Sequence, residues 1–204
     1  MINATIVLWI FVILFGMVGL MRAWKKEIIA TASLVLAIFA LSFANRDGRL
    51  AGLVRDPVQA NNANFAKELE QARINRWVLL SLPFLVITFF GYLGPAITRQ
   101  ISTGRFVDRA RVGVQEGVVG FLLGGINGYI IVSTLSRFAF DQKLLPDQGR
   151  FPSTGTGSPL FLPLDGMSWS KLFFIENSAL QILDGTTLII ALVVLFLFVI
   201  IVFI

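Results

Sequence analysis

The chain contains no cysteine and no histidine. The first absence excludes disulfides and thiolate metal sites; the second excludes zinc or haem held by imidazole and any Ser-His or Cys-His triad. Charge is also scarce: only 14% of the 204 residues are Asp, Glu, Lys or Arg, while 56% are hydrophobic, a balance unsuited to an ordinary water-soluble domain. No Lys or Arg precedes the first apolar run, so the beginning of the chain lacks the basic start of a cleavable signal and reads as an uncleaved hairpin. There is no Walker sequence and no dinucleotide fingerprint. Glu68 and Glu70, the nearest approach to a paired carboxylate, fall on a polar surface helix.

What is present is a series of long apolar blocks. Five are expected to form helices, over about 2–21, 28–44, 77–97, 112–136 and 186–204. Each is roughly 17–25 residues, the length at which a helix crosses about 30 Å of hydrocarbon. In lipid the backbone must satisfy its own hydrogen bonds, so helices are the expected form, and the blocks lack the alternation of a barrel. The expectation is therefore a single all-α integral membrane domain with about five transmembrane helices. It is joined by segments 45–76 and 137–185 on the outer side.

Orientation is read from the 17 Lys+Arg, which cluster at the ends of apolar blocks. The link "RAWKKE" holds Arg22, Lys25 and Lys26; the link "TRQISTGRFVDRAR" holds Arg99, Arg105, Arg109 and Arg111. Dense basic links face the cytoplasm, which places the N-terminus outside and the C-terminus inside. This placement reads as membrane topology and not as a nucleic-acid surface. Residues 62–76 suit a helix, lying on the membrane or leading into the third span. Residues 146–167 carry four prolines and four glycines and are expected to be an irregular loop. Asp184 stands where an N-cap for the last helix belongs. Pro83 is expected to kink the third span, and Gly94-Pro95 to break or end it.

The fourth block, "GVQEGVVGFLLGGINGY", repeats glycine at Gly113, Gly117, Gly120, Gly124 and Gly128. At about 100° per residue these five positions fall within an arc of about 80°, a smooth seam along one helix. Small residues three or four apart let two helices approach closely in lipid. The seam reads as an internal packing face, with a homodimer seam or a groove for a flat ligand or acyl chain as alternatives. Asn127 lies in the same block as a candidate interhelical hydrogen-bonding group. Glu116, near the cytoplasmic boundary, is a candidate for a buried ion pair with Arg22, Lys25 or Arg105; ion handling is the alternative.

Two stretches resemble the colicin V production protein (CvpA-like) family. That family has Gly-x-x-Arg-Gly-x-x-Lys-Glu at its first hairpin turn. Here "GLMRAWKKE" matches at Gly19, Arg22, Lys26 and Glu27, with Ala23 in place of the second glycine. The family's second hairpin has a basic turn followed by a Gly-rich helix, to which "DRARVGVQEGVVGFLLGGINGYIIV" is similar at Asp108, Arg109, Gly120, Gly124 and Gly128. The similarity covers roughly residues 5–136 and implies a multi-pass protein of the bacterial inner membrane. A fifth span departs from the family's usual four. Arg22 and Glu27, five apart, do not stack as an i,i+4 pair; they clamp the hairpin turn or meet the second basic link. With no reactive constellation and no evident cofactor, the chain is expected to be a non-catalytic scaffold or accessory subunit. Its expected partners are the lipid bilayer and other membrane subunits or itself, including those of a respiratory or photosynthetic complex. A small transporter or channel component is the alternative.

Overall fold

The computed structural model describes residues 2–22, 24–55, 65–103, 114–142, 144, 161–162, 173–183 and 185–203. Among them the chain is almost wholly helical. Helix α1 spans Ala4–Arg22 and α2 spans Trp24–Ala44, with one residue between them. A 3-10 turn (Arg46–Gly48) and a short α3 (Arg49–Gly52) follow. Then come α4 (Phe65–Thr103) and α5 (Val114–Asp141). Two single-turn helices, α6 (Phe173–Glu176) and α7 (Ala179–Ile182), precede α8 (Gly185–Phe203). A minimal parallel pair joins β1 (Ile2–Asn3) to β2 (Phe161–Leu162).

Among the described residues, three helices are long and apolar enough to cross a membrane: Trp24–Ala44, Lys67–Leu93 within α4, and α5. The segment Phe173–Ile182 and the helix Gly185–Ile201 make a fourth only if taken together, and they meet at a 71° bend. Gly185 sits at that bend with φ +44°, a left-handed backbone that favours glycine. The apolar part of α1, Ile6–Arg22, is shorter. The structure thus gives three to four candidate spans.

The third apolar block differs most from expectation. The expected break at Gly94-Pro95 does not occur; α4 runs as one helix from Phe65 to Thr103, through Pro83 and Pro95. A proline removes one N–H and leaves one carbonyl unpaired, a loss that neighbouring helices can offset in a membrane bundle. Of the two expected placements for residues 62–76, the structure takes the second: from Phe65 on, the segment forms the first turns of α4 and leads directly into the third span. Of the expected outer segment 137–185, residues to Asp141 extend α5, and α6 and α7 add two turns. Its Pro- and Gly-rich part, other than β2, lies outside the described residues, as does Asp184.

Helix α2 is central, packing on α4, α5 and α8. Its buried Ala30, Leu34, Ala37, Ile38 and Leu41 recur at helical spacing and form one stripe. Against this stripe lie Leu80 and Phe84 of α4, Ile131 and Phe138 of α5, and Leu188 of α8. Phe84 and Phe138 meet edge to face at 6.1 Å, a favoured aromatic geometry. On α1 the aromatic Trp9 packs with Phe173 and Phe174 of α6, and Tyr129 of α5 joins the same group. The turn between α6 and α7 is tied to α5 as well: Tyr129 donates to the Asn177 carbonyl and Ala179 N–H donates to Ser133 Oγ.

Gly91 sets how closely α4 approaches α2. A Cβ there would overlap the Ser33 side chain and lie 3.6 Å from Ala30 Cα. Gly91→Ala is therefore expected to destabilise the bundle by about 1–3 kcal/mol through overpacking. Ser33→Gly in the same chain should recover most of that loss, whereas Ser33→Ala should not, since Cβ as well as Oγ obstructs. Thermal unfolding of the three variants in one detergent checks this.

Candidate functional site

The site is built on the contact between α1 and α5. A side chain on Gly19 would fall into the Gly120 carbonyl and stand 2.9 Å from Gly124 Cα. One on Gly124 would stand 2.5 Å from the Phe15 carbonyl oxygen, and one on Gly128 would strike the Phe15 ring. The two backbones touch because both helices present glycine at the crossing. Gly117 is looser, with Leu20 at 3.6 Å from its hypothetical Cβ, and Gly113 lies outside the described residues. The seam of α5 is thus filled by α1 of the same chain.

This close approach brings the start of α2, Glu27 to Thr31, against Asn127 in the middle of α5, where a polar cluster forms. Glu27, at the start of α2, is fully buried. Arg22, at the end of α1, places Nη1 3.3 Å from Glu27 Oε1. The chain reverses between the two, which is how residues five apart come to pair across the turn. Arg22 Nη2 also donates to the Tyr92 carbonyl at 2.7 Å, and the guanidinium stacks over the Tyr92 ring at 4.5 Å, a favourable cation–π arrangement. Fully buried Asn127 donates from Nδ2 to Glu27 Oε2 at 3.0 Å and to the Glu27 carbonyl at 3.1 Å. Thr31 Oγ1 lies 2.7 Å from Asn127 Oδ1 and 2.9 Å from the Glu27 carbonyl, one hydroxyl proton serving the two acceptors. Tyr92 Oη adds a longer contact of 3.4 Å to Glu27 Oε2. Glu27 Oε1 receives no aligned hydrogen bond and depends on the Arg22 charge alone. A carboxylate so deep is tolerable only because one cation and two donor groups face it.

The sequence-predicted residues divide clearly. Gly19, Gly120, Gly124, Gly128, Asn127, Arg22 and Glu27 converge on one place. Lys26 is half-buried at the turn, while Lys25 is exposed beside the Trp24 ring. Glu116 does not belong to the cluster: it is exposed, and the carboxylate paired with Arg22 is Glu27. The reason is that α5 begins at Val114, so Glu116 stands in its first turn, where a carboxylate suits the helix N-terminus and points off the bundle. Arg105, Asp108 and Arg109 lie outside the described residues. Thr31 and Tyr92 were not singled out from sequence. Thr31 carried a signal, standing one turn after Glu27 on the same face; Tyr92 carried none, because its role depends on how α4 lies.

Chemically the cluster is a charge-paired clasp joining four helices, with Arg22 opposite Glu27. Among the described residues no three Asp or Glu stand together to hold a metal ion. Compared with known proteins, the chain matches no family model, no curated protein and no solved structure.

Proposed function

We propose that this chain is a CvpA-like, non-catalytic membrane protein that acts as a scaffold or accessory subunit through its outward helix faces. The observation that carries this reading is α8. It has no charged residue and rests on α2 along Leu188, Ala191, Leu192 and Leu195. Ile189, Ile190, Val193, Val194, Leu197 and Ile201 remain exposed. Such a face suits lipid or the helices of another subunit. Two further features support it. Glu27 is engaged by both Arg22 and Asn127, and of the residues carrying the CvpA-like resemblance Gly19, Arg22, Glu27, Gly120, Gly124 and Gly128 lie at the contact between α1, α2 and α5.

In this reading five helical segments are embedded in a bacterial inner membrane, the last reached through the α6–α7 bend. The N-terminus faces outward and the C-terminus the cytoplasm. One form of the role is a subunit of a larger energy-converting complex, respiratory or photosynthetic. Purification from the native membrane in gentle detergent, with mass spectrometry and an absorption spectrum, tests it. Stoichiometric partner subunits are expected; a chain recovered alone would count against it. Topology is checked separately, because the chain has no native cysteine to interfere. A cysteine at Lys25 should be labelled only from the cytoplasmic side and one at Gly155 only from outside.

A transport role is the second reading. It is favoured by Ser81 of α4 and Thr134 of α5, whose hydroxyls are buried without hydrogen-bond partners. It requires solute or ion flux in liposomes that Asn127→Leu abolishes.

A further inference from the structure

Between α1, α4 and α5 lies a crevice of about 370 Å³, within the size range of small-ligand sites. Its mouth is formed by Val18, Phe89 and Leu93, which are 42%, 57% and 53% exposed on the outside of the bundle. Its floor includes Ile131 and Thr88, and Arg22 closes one end. Two features separate it from a plain apolar gap. Thr88 is 2% exposed, and its hydroxyl has no hydrogen-bond partner. Arg22 has five N–H donors; Nη2 gives one to the Tyr92 carbonyl, while Nη1 faces Glu27 Oε1 as an ion pair without an aligned hydrogen bond.

We propose that this crevice holds one acyl chain of an anionic phospholipid, its phosphate on Arg22 at the basic α1–α2 turn. The inference rests on the membrane reading of the helices. A crevice open sideways to hydrocarbon takes an acyl chain and excludes water, and only the end at Arg22 offers charge. The proportions agree. Thr88 stands one helical turn, about 6 Å, from Tyr92 along α4, and Tyr92 is the residue that Arg22 grips. A phosphate at Arg22 therefore leaves the glycerol ester carbonyl at the level of Thr88, whose hydroxyl donates to it. Lys25, exposed on the same turn, adds positive charge near the headgroup, as do basic pockets at cytoplasmic helix ends that select anionic lipids.

The full-length protein in nonionic detergent is titrated with dioleoyl phosphatidylglycerol or dioleoyl phosphatidylcholine and read by native mass spectrometry. One phosphatidylglycerol per chain should be retained at about tenfold lower lipid concentration than phosphatidylcholine. Val18→Trp, which fills the mouth one helical turn from Arg22 and leaves both charged residues in place, should lose this preference while unfolding at an unchanged temperature. Equal retention of the two lipids, an undiminished preference in Val18→Trp, or displacement of the lipid by millimolar inorganic phosphate would overturn the proposal. Extraction of the chain from membranes by alkaline carbonate would sink the membrane reading and the lipid site together. Resistance to carbonate with equal retention of both lipids sinks the lipid site alone.

Discussion

Gly124→Leu is expected to prevent α1 from packing on α5, and with it the assembly of the clasp. The Cβ alone would lie 2.5 Å from the Phe15 carbonyl oxygen and 2.9 Å from Gly19 Cα. Both are backbone atoms, so no side-chain rotation relieves the overlap, and the helices must move apart. Overpacking costs about 1–3 kcal/mol where side chains can yield, and the cost here lies at or beyond the top of that range. Gly19→Leu should behave alike, since it meets the same backbone from the other side. The adjacent Gly125 is the control: nothing lies within 4 Å of its hypothetical Cβ. Gly125→Ala should be neutral or stabilising, by up to about 1 kcal/mol, because alanine loses less conformational entropy in a helix. Thermal unfolding in detergent checks the contrast. Equal effects at 124 and 125 would show that glycine acts through helix propensity and not through contact.

The second large effect is expected at the buried ion pair. Removing one partner of such a pair costs about 3–5 kcal/mol, because the other is left buried and uncompensated. The two directions should differ. Arg22 keeps 18% of its side chain exposed, and Glu27 none. In Glu27→Gln, the long arginine can turn its head toward the membrane surface. In Arg22→Gln, the carboxylate has no such escape, so this is the more damaging change. The double variant Arg22→Met with Glu27→Leu should cost less than Arg22→Gln, since replacing both charges by apolar groups removes the desolvation penalty along with the attraction. Asn127→Leu removes two donors from Glu27 and should cost about 1–3 kcal/mol. Unfolding measurements on the singles Arg22→Met and Glu27→Leu and on their double decide the matter. Strictly additive losses would mean that Arg22 and Glu27 do not interact.

These residues mark how much of the site could be read in advance. The arc of glycines on α5 was legible because it depends only on helical periodicity, and Gly19, Arg22 and Glu27 were visible as a turn motif. The partner of Arg22 was not. Glu116 and Glu27 are both carboxylates next to apolar helices, and local sequence does not rank them. What separates them is that α5 starts only two residues before Glu116, whereas Glu27 follows a tight reversal and faces three other helices. Tyr92 stands two residues before the expected break at Gly94-Pro95 and was not singled out. Its function as a carbonyl acceptor and ring for Arg22 appears once α4 continues past it.

Composition and periodicity by themselves determined that the chain is helical, that several helices are apolar enough to cross a membrane, and that one carries a smooth glycine face. These properties follow from short-range physics: backbone groups in an apolar surrounding must bond within the helix, and side chains recur every 3.6 residues. Tertiary structure decided which helix fills that face, which carboxylate neutralises Arg22, and that the prolines of α4 leave it continuous. Those outcomes depend on the free energy of groups brought together from distant parts of the chain. A buried charge or a missing Cβ has its value only relative to the neighbour that packing places beside it.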